Sequence, residues 1–568
     1  MLKKQKLELT WIGKENRPKL EPRILLEEPA RSYHAKHRVT DNDIFDNRLI
    51  FGDNLLALKA LESEFAGKVK CIYIDPPYNT GSAFAHYDDG VEHSIWLSLM
   101  RDRLEILWRL LEENGTLWIS IDDSEMPYLR VLLDEVCGRV NFVASNVWQK
   151  RYSRENREAI GDAHEYVLLY AKNPDQFKRT RNKLPLGEKQ LAVYKNKNND
   201  PKGSWRAVSF SAQGFRPNQM YEIVSPFTGK KHRPPEGSCW KVIESEYSRL
   251  LTEGRMYFGK NGDAVPSRIQ YLKDIEGIVP WTWWPHEEVG HTDESKREIQ
   301  TLFGKSDTFD TPKPERLINR ILEIATNPND LVLDSFAGSG TTGAVAHKMG
   351  RRWILIELGE HCHTHVIPRM QKVIDGEDQG GISKVVNWQG GGGFRYYKLA
   401  PSLLRQDAYG QWVINKEYNA EMLAQALCKL EGFTYAPSDA HYWMHGHSTE
   451  RDFIYVTTAN LNHEQLQQLS DEVGAERSLL VLCTAFRGKG EYPNLTVKKI
   501  PKQVLSRCEW GHDDYSLRIE NLPQAAPSSD PSIDSGRTAG VAKAHKANVA
   551  QGGLFDASTE NAAEEDEA

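Results

Sequence analysis

The chain has 568 residues, 39% hydrophobic and 10% aromatic, with a formal net charge of −7, a length beyond one hydrophobic core that implies roughly two to four domains. No apolar run approaches the roughly 18 residues of a membrane span, and Met1-Leu2-Lys3-Lys4-Gln5-Lys6 lacks the apolar stretch of a signal peptide. The seven cysteines are scattered without a CxxC pair, which excludes a disulfide framework and fits a reducing cytoplasm.

Residues 1–40 mix charges and prolines without sustained periodicity, so an arm that packs late or stays mobile is expected. From Asn47 the pattern sharpens: 48–51 reads as a strand, Gly52-Asp53-Asn54 as a turn able to cap a helix, and 55–65 as that helix. The β-compatible run 69–74 stops at Asp75-Pro76-Pro77-Tyr78, because proline cannot donate to a ladder and pushes the residue before it into an extended conformation. An acid, a rigid turn and an aromatic therefore stand at a strand's carboxyl end, the edge where open α/β sheets bind ligands. Taken alone, the four residues fit equally well as a plain turn with a solvated Asp. After a loop over 79–90, Trp96, Met100, Leu104, Leu107 and Leu111 mark one face of a long helix. Its expected end is Asn114-Gly115, where glycine can take the left-handed cap. Strands over 116–121, 142–148 and 165–170, with a helix over 128–137, continue an alternation that predicts a parallel, doubly wound sheet.

The rhythm breaks between 173 and 306, where Lys, Asn, Gly, Pro and aromatics predict an insert of short strands and loops. Between Pro174 and Trp240 stand thirteen Lys or Arg against five acids, whereas the last nineteen residues carry six acids and no base. The first region suits phosphate and the second would repel it. The cluster Trp281-Thr282-Trp283-Trp284 fits either a local core or a platform on which bases stack. Alternation then returns, with helices over 314–326 and 341–349 and strands over 331–333 and 353–356. A glycine run at 390–393 marks a boundary. The expected order is an arm (1–40), one half of an α/β domain (41–173), the insert (174–306), the second half (307–392), a C-terminal α+β domain (393–522) and a disordered acidic tail (523–568).

Asp334, at a strand end, leads into Phe336 and then Gly338-Ser339-Gly340, which opens a helix. Residues without Cβ atoms let a nucleoside-bearing ligand approach the backbone. A phosphate loop is excluded, because Thr341 stands where Lys would be needed, and the dinucleotide fingerprint is imperfect. Glu357, nineteen residues beyond Gly338 and at the end of the next strand, is placed to accept both hydroxyls of a ribose. These residues point to a nucleoside cofactor of unspecified kind. The spacing of His361, Cys362, His363 and His365 fits no zinc pattern, so no metal is expected.

With both stretches in view, the chain resembles the amino-group DNA methyltransferases that use S-adenosylmethionine. The motifs Tyr73-Ile74-Asp75-Pro76-Pro77-Tyr78-Asn79-Thr80-Gly81, His164-Glu165-Tyr166-Val167-Leu168-Leu169-Tyr170, Trp284-Pro285-His286-Glu287-Glu288-Val289-Gly290-His291, Thr311-Pro312-Lys313-Pro314-Glu315-Arg316 and Gly391-Gly392-Gly393-Phe394-Arg395 look like those of the modification subunits of type III restriction-modification systems. The resemblance covers about residues 45–400 and weakens beyond. The catalytic loop precedes the cofactor turn with the basic insert between them, the order called β. What the resemblance implies is a doubly wound, mostly parallel, Rossmann-like sheet with permuted motif order and an inserted target-recognition domain. In that family the loop Asp75-Pro76-Pro77-Tyr78 holds the target amine. Asp53 would reach the cofactor's adenine, Phe336 would lie against it, Glu357 would hold its ribose and Lys313 would border its methionine end. Asp334, Gly338, Ser339 and Gly340 would form the cofactor turn, with Ser335 departing from the proline of many relatives.

The chemistry agrees with that family. An exocyclic amine is a poor nucleophile because its lone pair is delocalised into the ring, and attack on a sulfonium methyl leaves positive charge on the nitrogen. The Asp75 carboxylate and the Pro76 carbonyl can each accept one N–H and stabilise that charge. Stacking on Tyr78, worth about 1–3 kcal/mol, is comparable with the few kcal/mol that unstacking a flipped base costs. Within the insert and beside it, Lys150, Arg151, Arg206, Arg216 and Trp283 are the candidates for contact with DNA. The expected activity is that of a site-specific adenine-N6 DNA methyltransferase (EC 2.1.1.72) acting on double-stranded DNA. Its implied setting is a cytoplasmic homodimer, with a helicase-nuclease restriction subunit as partner. Cytosine N4 presents a similar amine, although the family uses Asp at the first loop position mostly for adenine. A DNA-binding specificity subunit with vestigial catalysis is the reading from another class. Methylation of RNA or of a protein glutamine would leave the basic insert unexplained.

Overall fold

The structure is a computed structural model that describes residues 8–78, 89–154, 159–305, 309, 311–487, 490–502 and 504–516. The loop 79–88 and the acidic tail fall outside these residues. Eleven strands form the main sheet: β1 (Leu25–Glu27), β2 (Tyr33–His34), β3 (Asn47–Phe51), β4 (Val69–Ile74), β5 (Leu111–Ile121), β6 (Phe142–Gln149), β7 (His164–Ala171), β8 (Trp283–Trp284), β9 (Leu331–Asp334), β10 (Arg352–Glu357) and β11 (Gly393–Leu399). Their spatial order is β1-β11-β3-β10-β9-β4-β5-β7-β6-β8, with β2 also on β11. Neighbours from β11 to β5 pair in parallel. β7 runs antiparallel to both β5 and β6.

Helices cover both faces, and the side-chain period of two divides each strand between them. Cys71 and Tyr73 of β4 join one core with α5 (Glu315–Ala325), α6 (Thr341–Lys348) and α7 (Ile367–Ile374). Ile72 and Ile74 join the other, with α1 (Asn54–Phe65), α2 (Asp89–Leu110) and α3 (Met126–Leu133). Between β8 and β9 in sequence, the helix α4 (Thr292–Phe303) leads back toward α5.

Four expectations differ from this architecture. The region before 40 is not a loose arm: Trp11 is buried, its indole donating to Ser98 Oγ at 2.7 Å, and β1 and β2 cover the edge strand β11. Strands of two and three residues are too short to carry a periodicity. The helix α2 ends at Leu110, and Gly115 lies inside β5, where a Cβ would come 2.9 Å from the Val69 carbonyl oxygen. β11, expected to open a separate C-terminal domain, belongs to the main sheet in parallel register with β3. β8, expected inside the insert, likewise pairs with β6 in the main sheet.

The insert has a three-stranded sheet of Trp205–Ser209, Ser267–Tyr271 and Met256–Tyr257, with two further pairs of short strands. Past β11, a five-stranded sheet packs on the helices Ala420–Glu431 and His463–Val473.

Candidate active site

The strands β3, β4, β5, β6, β9 and β10 all end at one edge of the sheet. Because β7 runs the other way, it brings its first residues, His164 and Glu165, to that same edge. A cavity of about 490 Å³ opens there. Its lining includes Asp75, Pro76, Pro77 and Tyr78 after β4, Asp334, Phe336, Gly338 and Ser339 after β9, Glu357 at the end of β10, and Lys313 just before α5.

The loop after β4 is held from three sides. The Trp96 indole of α2 donates to the Pro77 carbonyl at 2.8 Å. The Tyr78 hydroxyl lies 2.8 Å from Asp75 Oδ1 and 3.0 Å from Glu165 Oε2. Lys313 Nζ donates to Asp75 Oδ2 at 2.6 Å and stands 3.7 Å from Glu165 Oε2, over the Tyr78 ring. Burial raises the pKa of Asp75, and the Lys313 charge opposes that rise. Burial alone would lower Lys313, but Asp75 and Glu165 outweigh it and the ammonium is held above its ordinary pKa.

The turn after β9 is built for close approach. Gly338 and Gly340 sit at φ +54° and +78°, a region L side chains rarely adopt, and a Cβ on Gly340 would come within 3.1 Å of Val366. Glu357 braces the turn, accepting the Gly338 N–H at 2.7 Å and the Gly359 N–H at 2.8 Å. It also pairs with His361 at 2.9 Å, which raises the His361 pKa. Asp334 accepts the Phe336 N–H and the Thr342 hydroxyl. Gly340 caps α6 and does not line the cavity. The remaining His-Cys residues diverge: Cys362 is buried, His363 contacts Glu360 and Tyr396, and the His365 ring packs on Phe303 and Phe309.

Burial pushes Asp334 up to about 7. A carboxyl whose folded pKa lies above its unfolded value adds stability that is fully present below about pH 4 and lost as pH rises through about 7. Asp334→Asn is therefore expected to flatten the stability profile between pH 4 and 7, by an amount on the order of 3–4 kcal/mol. Urea unfolding of both proteins at pH 4.5 and 8, roughly the ends of that window, checks this; parallel profiles would contradict it.

Asp53 caps its helix, as Gly52-Asp53-Asn54 reads, and does not line the cavity. One carboxylate oxygen caps α1 at Leu56 N, and the other takes the Tyr515 N–H at 2.9 Å and Arg103 at 3.4 Å, so it is spent on structure. Its neighbours Asn54, Arg103 and Ser516 line the cavity instead. Lys150 is engaged with Asp162 and Glu165 at 2.6 and 3.4 Å. Arg151 and Arg216 are exposed, and Arg206 bonds Gln270 beside Tyr194. Trp283 is 46% exposed, whereas Trp284 is buried. Sequence reasoning assigned no role to Glu165. Its signal was an acid beginning an apolar strand, which matters only once that strand is known to run antiparallel.

The cavity suits a nucleoside-bearing ligand on this structure's own terms. The close-approach turn at Gly338 and Ser339, the apolar surfaces of Phe336, Ile356 and Leu358, and the free acceptor capacity of Glu357 border one continuous space. Comparison with known proteins agrees. Residues 69–367 match the N6/N4 methylase family model, described as DNA methylase. The probable type III restriction-modification enzyme HindVI Mod subunit of Haemophilus influenzae is 33% identical over 64% of this chain and 55% of its own length. The type III restriction-modification enzyme StyLTI Mod subunit of Salmonella typhimurium is 33% identical over 54% and 50%. The type II methyltransferase M.KpnI of Klebsiella pneumoniae is 30% identical over 54% and 77%. The chain thus spans about half the length of the first two relatives.

Proposed function

Because this chain belongs to the N6/N4 DNA methylase family, we propose that it transfers a methyl group from S-adenosylmethionine to the N6 amine of an adenine flipped out of double-stranded DNA. The observation that carries this function is that one cavity is lined by both the Asp75-Pro76-Pro77-Tyr78 loop and the Gly338–Glu357 unit. S-adenosylmethionine bound there supplies a sulfonium methyl. Gly338 and Ser339 let it approach, Phe336 flanks its base and Glu357 accepts from its ribose. Asp75 and the Pro76 carbonyl each accept one hydrogen of the target amine and so stabilise the charge that develops on nitrogen. The Tyr78 ring stacks on the extruded base, which offsets part of the unstacking cost.

The basic insert supports recognition of duplex DNA: Arg206 and Arg216 within it, and Arg151 and Trp283 beside it, face outward for phosphate or base contact. Likeness to Mod subunits supports a modification role as a homodimer beside a separate restriction subunit. The test is to incubate the purified chain with labelled S-adenosylmethionine and unmodified DNA, then digest to nucleosides and sequence for modified positions. N6-methyladenine in one fixed sequence context is expected. N4-methylcytosine would reassign the base, and unlabelled DNA would overturn the activity.

A further inference from the structure

One hydroxyl carries one hydrogen. The Tyr78 hydroxyl nevertheless sits within hydrogen-bond distance of two carboxyl oxygens, Asp75 Oδ1 at 2.8 Å and Glu165 Oε2 at 3.0 Å. Both contacts are separate two-centre hydrogen bonds only if one carboxyl also carries a proton, which then donates to the Tyr78 oxygen. Charge balance favours the same state. Lys313 faces Asp75 and Glu165, and Lys150 is shared between Glu165 and Asp162, so three carboxylates meet two ammoniums and one shared proton balances the group. Glu165 itself is the less exposed of the two, 11% against 23% for Asp75, but its other oxygen lies 3.4 Å from Lys150, which is bonded to Asp162, 57% exposed.

Resting on the proposed methyl transfer, we propose that Asp75, Tyr78 and Glu165 form a proton path that removes the proton displaced from the target amine, with Glu165 as the member farther from that amine. In the transfer step the amine nitrogen bonds to the methyl carbon as the carbon–sulfur bond breaks, and the electron pair stays on sulfur. The methylated nitrogen gives one proton to Asp75. Glu165 first releases its proton to solvent beside Lys150 and Asp162, and the Tyr78 hydroxyl then passes a proton to Glu165 as it receives one from Asp75. One proton enters and one leaves, so the trio returns to its starting charge. The raised pKa of Asp75 fits a group that can hold a proton transiently. The other charged or titratable groups facing the path are Tyr73 and Asp334 from the sheet, Asp122 after β5, and Lys313.

Glu165 acts through Tyr78, so it is a positioning and proton-accepting residue behind the reacting atoms. Glu165→Gln keeps an acceptor for the Tyr78 hydroxyl and removes the proton sink. Single-turnover methyl transfer should fall by roughly 10²-fold at neutral pH, and the deficit should shrink as pH rises and solution base takes over. S-adenosylmethionine affinity and duplex affinity should stay unchanged, and Glu165→Asp should recover part of the rate. A second readout needs neither cofactor nor DNA: infrared difference spectra of the protein alone should show a protonated-carboxyl band in wild type that is missing in Glu165→Gln. A Gln variant with wild-type rate, a deficit that is flat across pH, or no infrared difference would each overturn the proton path. A wild-type protein that methylates no DNA amine would overturn the transfer itself, with the infrared comparison still deciding the shared proton.

Discussion

Asp75→Ala is expected to lower the methyl-transfer rate by about 10²–10³-fold or more, while S-adenosylmethionine and duplex affinities change by only a few fold. The size follows from where the carboxylate acts. In the proposed transfer it accepts from an amine whose positive charge appears as the new bond forms, and removing one such preorganised partner costs roughly 2.7–4 kcal/mol of transition-state stabilisation. In the same proposal ground-state binding rests elsewhere, on the turn at Gly338–Ser339, on Glu357 and on the insert. The side effect on folding should be small. Lys313 loses its 2.6 Å partner, but Glu165 stands 3.7 Å away and can take over the ammonium. Single-turnover transfer with labelled cofactor, read beside calorimetry and thermal unfolding, separates these effects. Transfer surviving at a tenth or more of the wild-type rate, an order-of-magnitude threshold, would remove Asp75 from the chemistry.

The two stretches that meet in the cavity were legible because their chemistry sits in consecutive residues. Asp75-Pro76-Pro77-Tyr78 announces a strand end by proline geometry, and Gly338-Ser339-Gly340 announces a close-approach turn by its missing Cβ atoms. What escaped depends on long-range pairing. Glu165 comes to the site only because β7 is antiparallel between β5 and β6, and nothing in the run His164–Ala171 encodes strand direction. β1, β2 and β8 are too short to show a period. β11 joins the sheet through its register with β3, although the glycine run before it reads locally as a boundary. Asp53 is the converse case. Gly52-Asp53-Asn54 reads as a helix cap, the structure uses Asp53 as one, and the contact with a ligand came only from the resemblance. Side chains with a local backbone duty were therefore read well, and side chains whose partner lies across the sheet were not.

Glu315→Ala is expected to cost about 3–5 kcal/mol of stability, the usual penalty for leaving a buried charge unpaired. Glu315 is the first residue of α5 and is 1% exposed. Its carboxylate accepts from Lys348 Nζ at 2.8 Å to both oxygens, from Arg369 at 3.0 Å and from the Ile382 N–H at 3.0 Å. Lys348 also bonds Asp378 at 2.7 Å, so two buried cations face two carboxylates. Burial and the Glu315 charge push neighbouring Glu298, on α4, toward its neutral form, so it cannot replace the lost charge cheaply. The damage should also reach the cofactor turn, because Arg369 donates to the Thr341 hydroxyl at 2.8 Å and to the Ser339 carbonyl at 3.3 Å. Without Glu315 to orient Arg369, S-adenosylmethionine affinity should fall along with stability. Charge counting supplies the control. Glu315→Leu combined with Lys348→Met leaves Asp378 facing Arg369, one charge of each sign, and should be more stable than Glu315→Ala despite changing two buried residues. Urea denaturation of the three proteins decides it: a double variant less stable than the single one would mean that packing around α5, rather than charge balance, holds this region together.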